Sequence, residues 1–130
     1  MKLMKVSNIL ISAVLATSIG EAMVPAKAAS PVIEVVTMTL KDRVSAAQFK
    51  SVDQEIQANY VSKRPGFLSR ESAPGANHTW LVIVHWRSVA DADASMKSFS
   101  TAPASKQFMS MIVPGSMVMC LYGWSHAYRR

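Results

Sequence analysis

The spacing of apolar positions changes period several times along the chain, and each change marks an element. Ile33 to Leu40, IEVVTMTL, is rich in β-branched residues and predicts a strand. Ser45 and Gln48 then stand at capping-box spacing, so each can satisfy an orphan backbone N–H at a helix start. Phe49, Val52, Ile56 and Tyr60 recur at helical spacing and predict one apolar face. Lys63 and Arg64 suit the negative end of the helix dipole, and Pro65-Gly66 stops the helix.

FLSRES, residues 67–72, reads as a short, mostly polar strand at a sheet edge, where charge discourages pairing with other chains. Ala73 to Asn77 has the composition of a hairpin loop. Thr79 to Trp86 is the strongest strand pattern in the chain. Ser88, with Asp91 three residues on, predicts a second capped helix whose apolar face is Val89, Ala92, Met96 and Phe99. Pro103 can open a further short helix with Phe108, Met111 and Ile112 on one side, ended by Pro114-Gly115. Ser116 to Trp124 is the last strand.

The order is β-α-β-β-α-β with an extra helical turn before the final strand. That is a ferredoxin-like α+β arrangement, an antiparallel sheet with its helices on one face. Strand alternation adds a second inference. On the third strand Trp80, Val82, Val84 and Trp86 point one way, and Leu81, Ile83 and His85 the other. On the last strand Met117, Met119 and Leu121 oppose Val118, Cys120, Tyr122 and Trp124. Both faces are apolar, yet two helices cover only one. The other needs a partner, and a two-fold homodimer packed sheet to sheet satisfies it most economically. A lipid or another protein on that face is the rival solution.

Composition narrows the partners. Two lysines in Met1–Lys5, an apolar run from Ile9 to Ile19 and Ala26-Lys27-Ala28 match the parts of a secretory signal, with cleavage expected after Ala28. The apolar run is shorter than the roughly 20 residues of a spanning helix, so no stable membrane anchor is expected. The product would be periplasmic or secreted. Removing residues 1–28 leaves 102 of the 130 residues, residues 29–130, enough for one small domain. Lys2, Lys5, Lys27 and Glu21 leave with the signal, which takes the net charge from +6 to +4. Apart from Arg129-Arg130 the remaining charges are scattered, with no basic stripe for nucleic acid. Cys120 is the only cysteine, which excludes an internal disulfide and predicts a buried, inert thiol.

Several stretches together resemble the antibiotic-biosynthesis-monooxygenase-like domains of the dimeric α+β barrel superfamily. They are RPGFLSR after the first helix, the edge hairpin, VHWRSVADADASM running from a strand end into an Ala-rich helix, and STAPASKQFMSMI before the last strand. The resemblance covers Ile33 to Trp124. It implies two subunits packed into a dimeric α+β barrel, each with a pocket between its sheet and its helices. Enzymes of this family oxidise electron-rich aromatics, such as quinols and polyketide anthrones, with dioxygen and without metal or flavin, so no cofactor is expected. The substrate anion supplies the electrons; the protein supplies a dry, shaped pocket, a base and an orientation.

Carried over residue by residue, the resemblance puts Trp86 at the pocket-lining tryptophan that ends the third strand. The glutamate that many members hold two residues earlier is Val84 here, and Val89 to Val113 contains no histidine. Haem-degrading relatives use an asparagine on the first strand, at Val36 here, the tryptophan matched by Trp86, and a histidine from the second helical region. Two of their three parts are therefore missing.

His85 could serve as a base, since imidazole titrates near neutral pH, but it alternates with Trp86 and would then face the dimer interior. Trp80 shares the face of Trp86 and reads either as core or as a stacking wall for a flat ligand. Tyr60 reads either as the last core contact of its helix or as a phenol at the pocket mouth. His78 falls beside the hairpin loop and His126 in the tail, so the three histidines make no metal site. Asp91 and Asp93 are expected at a helix start, and the five methionines from Met96 to Met119 as fillers of an irregular core. The expected function is an exported, cofactor-independent monooxygenase-like domain acting on a small phenolic or quinol aromatic. Its rivals are a non-catalytic dimeric binding module of the cell envelope and a haem-binding protein.

Overall fold

The computed structural model describes residues 30–127. The signal expected over 1–28 and the Arg129-Arg130 pair lie outside the described residues. Strand β1, Val32–Thr39, leads to helix α1, Ala46–Asn59. A 3-10 turn, Val61–Lys63, precedes the hairpin of β2, Phe67–Pro74, and β3, Thr79–Trp86. Helix α2, Val89–Lys97, a 3-10 turn at Phe99–Thr101 and the short α3, Ser105–Ser110, lead to β4, Val118–Gly123.

All pairings in the sheet are antiparallel and the strand order is β2-β3-β1-β4. The two strands with the most continuous apolar pattern, β1 and β3, are therefore central, and polar β2 is an edge. This is the expected ferredoxin-like α+β fold. Both expected caps form: Ser45 and Gln48 complete a reciprocal capping box, and the Ser88 hydroxyl accepts from the Asp91 N–H. Gly66 adopts a positive φ of 82° where the chain leaves the first helical segment, and a Cβ there would collide with the Asp91 side chain.

The core lies on the helix side of the sheet. Val32, Val36 and Met38 of β1 and Trp80, Val82, Val84 and Trp86 of β3 are buried against Phe49, Val52 and Ile56 of α1 and Phe108 of α3. Alternation sends Ile33, Val35, Leu81, Ile83 and His85 to the other face, which no element among the described residues covers. There Val118, Tyr122 and Trp124 are exposed.

Four expectations change. β2 runs on to Pro74, because the backbone reverses only at Asn77 and His78, both with positive φ, so the turn is tighter than the composition of 73–77 suggests. Arg70 on that strand turns inward and is not a solvent-facing edge charge. On α2 the buried side chains are Ala92 and Ser95, while Val89 and Met96 are exposed, so a face of small residues packs closely on the layer beneath. Cys120 is an exposed free thiol, because its register opposite Val35 puts it on the uncovered face.

Candidate functional site

A cavity of about 230 Å³ lies between the sheet and the helices. Its floor is Glu34, Val36 and Met38 of β1 with Val82, Val84 and Trp86 of β3, bordered by Met117 and Met119. Ile56, Ser95, Phe99 and Phe108 close it from above. Two of its lining residues, Met96 and Met109, are 43% and 46% exposed, which places its mouth between α2 and α3. Apart from Glu34, Arg70 and Ser95 the lining is apolar.

Glu34 is on the floor because β1 alternates. It is in phase with Val32, Val36 and Met38, so a strand that buries those three must turn the carboxylate inward too. The residue is 8% exposed. Burial pushes its carboxyl above the ordinary value of 4.5; the Trp86 N–H and the Arg70 guanidinium oppose the rise, and the Asp93 carboxylate adds to it. The indole N–H of Trp86 faces Glu34 closely enough to favour its charge, but the geometry falls short of a full hydrogen bond. Among the described residues that N–H has no hydrogen-bond partner.

Arg70 is fixed from the other side. Its Nη1 donates to Asp53 Oδ2 at 3.1 Å and its Nη2 to Asp53 Oδ1 at 2.5 Å, with both side chains 5% exposed. A bidentate pair of this kind holds the guanidinium plane still and shares its charge with Asp53 at the border of the cavity.

Of the four residues that the sequence suggests for a site, one lines this cavity. Trp86, 1% exposed, is part of the floor. Trp80 is core: its Nε1–H donates to Ser72 Oγ at 2.7 Å and its ring meets Phe49 edge to face at 4.9 Å. Tyr60 is also buried. Its hydroxyl donates to the Ser95 carbonyl at 2.6 Å and contacts Ser98 Oγ at 2.6 Å, tying the end of α1 to α2. His85 is on the opposite face of the sheet, with Nε2 3.9 Å from the Glu71 carboxylate and its ring 5.7 Å from Trp124.

Glu34, Arg70 and Asp53 are the polar groups that reading by motif passes over. The signal for Glu34 was present, as a lone carboxylate in phase with the apolar face of a strand. Glu34 also stands directly opposite Val84 in the β1–β3 ladder. The resemblance leads one to expect a glutamate at 84; here a carboxylate occupies the same face one strand over. Val36, where haem-degrading relatives hold asparagine, is an apolar part of the floor. Among the described residues no three histidine, cysteine or carboxylate side chains come together as a metal site.

Compared by sequence, the chain matches no family model and no curated protein. Compared by structure, it is similar to SnoaB, a cofactor-independent oxygenase from Streptomyces nogalater. The TM-score is 0.64 at 15% identity, over 78% of this chain and 100% of that one. It is similar to the monooxygenase from the gene ActVA-Orf6 of Streptomyces coelicolor, solved with the ligand nanaomycin D, with a TM-score of 0.58 at 14% identity over 78% and 93% of the two chains. A candidate antibiotic biosynthesis monooxygenase from Caulobacter crescentus gives 0.61 at 17% identity over 75% and 92%. The domain therefore has the antibiotic-biosynthesis-monooxygenase-like fold.

Proposed function

We propose that this is a cofactor-independent monooxygenase-like domain that oxidises a small phenolic or quinol aromatic in the cavity floored by Trp86. The observation that carries the reading is that cavity, an apolar enclosure with one buried carboxylate in a fold shared with oxygenases of this kind. Fold alone does not give a reaction; the enclosure and its polar floor supply the rest of the argument. In the reaction a quinol and dioxygen give a hydroxyquinone and water. One oxygen atom enters the ring, the other leaves as water, and the quinol supplies every electron that dioxygen takes up. An engineered apolar cavity of about 150 Å³ accepts benzene, so 230 Å³ suits one or two rings better than a polycyclic skeleton.

The working unit in this proposal is a homodimer joined through the uncovered sheet face, exported to the periplasm or beyond. The apolar side chains on that face support the first part and the leader pattern supports the second.

The test is oxygen consumption by the purified protein over a panel of one- and two-ring quinols and naphthols. At least one should be turned over, and Trp86→Ala should lower kcat/KM for it by at least about tenfold, since it removes one wall of the enclosure. An inert panel, or turnover that ignores the Trp86 change, would overturn the reading.

A further inference from the structure

On an otherwise apolar floor the indole N–H of Trp86, 1% exposed, has no hydrogen-bond partner among the described residues and faces the carboxylate of Glu34. The carboxylate is an acceptor and the indole a donor, set beside one another. Native proteins seldom leave such groups unmatched, because a buried polar atom without a partner is costly. A single group that both donates and accepts would satisfy both. From these two side chains we infer that the cavity has a hydroxyl-binding site, taking the un-ionised hydroxyl of a flat aromatic. The O–H donates to Glu34 and the same oxygen accepts from the Trp86 N–H.

The surroundings select a hydroxyl over an anion. Arg70, from β2, is the cation facing Glu34, and both its terminal nitrogens are engaged by Asp53 of α1. Asp93 of α2 adds negative field. A ligand carboxylate would thus meet the Glu34 charge at close range, while the nearby guanidinium already shares its own charge with Asp53. The inference rests on the oxygenase reading only for its second half, in which Glu34 is also the catalytic proton acceptor. There the phenolic O–H bond breaks, the proton passes to a Glu34 oxygen, and the electron pair stays on the substrate oxygen as the anion that dioxygen oxidises. Burial strengthens Glu34 as a base for that transfer.

The experiment titrates three probes into the protein, following quenching of tryptophan fluorescence at pH 7: 1-naphthol, 1-methoxynaphthalene and 1-naphthoate. Naphthol should bind about tenfold or more tightly than its methyl ether, which lacks the donor, and naphthoate should bind weakest. Glu34→Leu removes the acceptor, and the two neutral probes should then bind within about threefold of each other. The unmutated protein gives an independent reading, because its preference for naphthol should shrink as the pH is lowered to 4.5 and Glu34 takes up its proton. Equal binding of naphthol and ether to the unmutated protein, a preference that survives Glu34→Leu, or tightest binding of naphthoate overturns the site. The two proposals fail separately. A naphthol preference without oxygen uptake on any quinol refutes the oxygenase and leaves the hydroxyl site. Turnover that falls less than about tenfold in Glu34→Leu refutes the proton transfer alone.

Discussion

Glu34 is held where water would serve its charge better, and the stability of the protein should register it. Its folded-state pKa is raised, so it contributes stability below 4.5 that is lost as the pH rises through the folded value. Glu34→Gln removes the ionisation and nearly preserves the shape. The variant should melt a few degrees above the parent at pH 7, and the difference should close below pH 4.5; scanning calorimetry across that range checks both signs. Such a variant would be more stable and less useful, a trade commonly found at sites. His85 makes the complementary case. It lies across the sheet from the cavity, so His85→Ala should leave oxygen uptake within about twofold at protein concentrations that keep the assembly complete.

At the scale of elements, the paired charges of Asp53 and Arg70 join α1 to the edge strand beneath it. Removing one partner strands the other away from water. Asp53→Ala should therefore cost about 3–5 kcal/mol in a urea unfolding curve, whereas replacing both by apolar residues of similar size should cost far less. The Ser45 cap belongs to the same scale, and Ser45→Ala should cost about 1 kcal/mol by the same measurement. These two features also divide what could be read from the sequence from what could not. Ser45 and Ser88 were legible because a cap is a contact between neighbours in the chain, with a spacing that recurs. The strands and their faces were legible because alternation is local. Asp53 and Arg70 meet only after the sheet and α1 have packed, and nothing near either residue announces the other. The buried face of α2 departs from its apolar pattern for a related reason: Ala92 and Ser95 are buried because they are small, and a hydrophobicity pattern gives small residues little weight.

For the molecule as a whole, the proposed homodimer rests on the sheet face that the described residues leave uncovered. Val35 sits near its centre, opposite Ile83 on one side and Cys120 on the other. The proposal predicts that the parent sediments as a dimer at micromolar concentration and that Val35→Asp, which leaves the helix-side core untouched, sediments as a folded monomer. Sedimentation velocity and far-UV circular dichroism together check that outcome. The fold class was legible at this scale because the order and faces of the elements leave few arrangements. The resemblance gave the place of the cavity and its Trp86 lining but not its size, since the volume depends on how far short helices stand off a sheet.

The mouth of that cavity has a chemistry of its own. Met96 and Met109 expose their thioethers, whereas Met38 on the floor is 2% exposed. Peroxide would convert the two rim residues to sulfoxides long before it reached the floor, replacing a pliable apolar gate with a stiffened polar one. A protein of this design ages from its doorway inward, losing admission to the chamber while the sheet and helices around it remain intact.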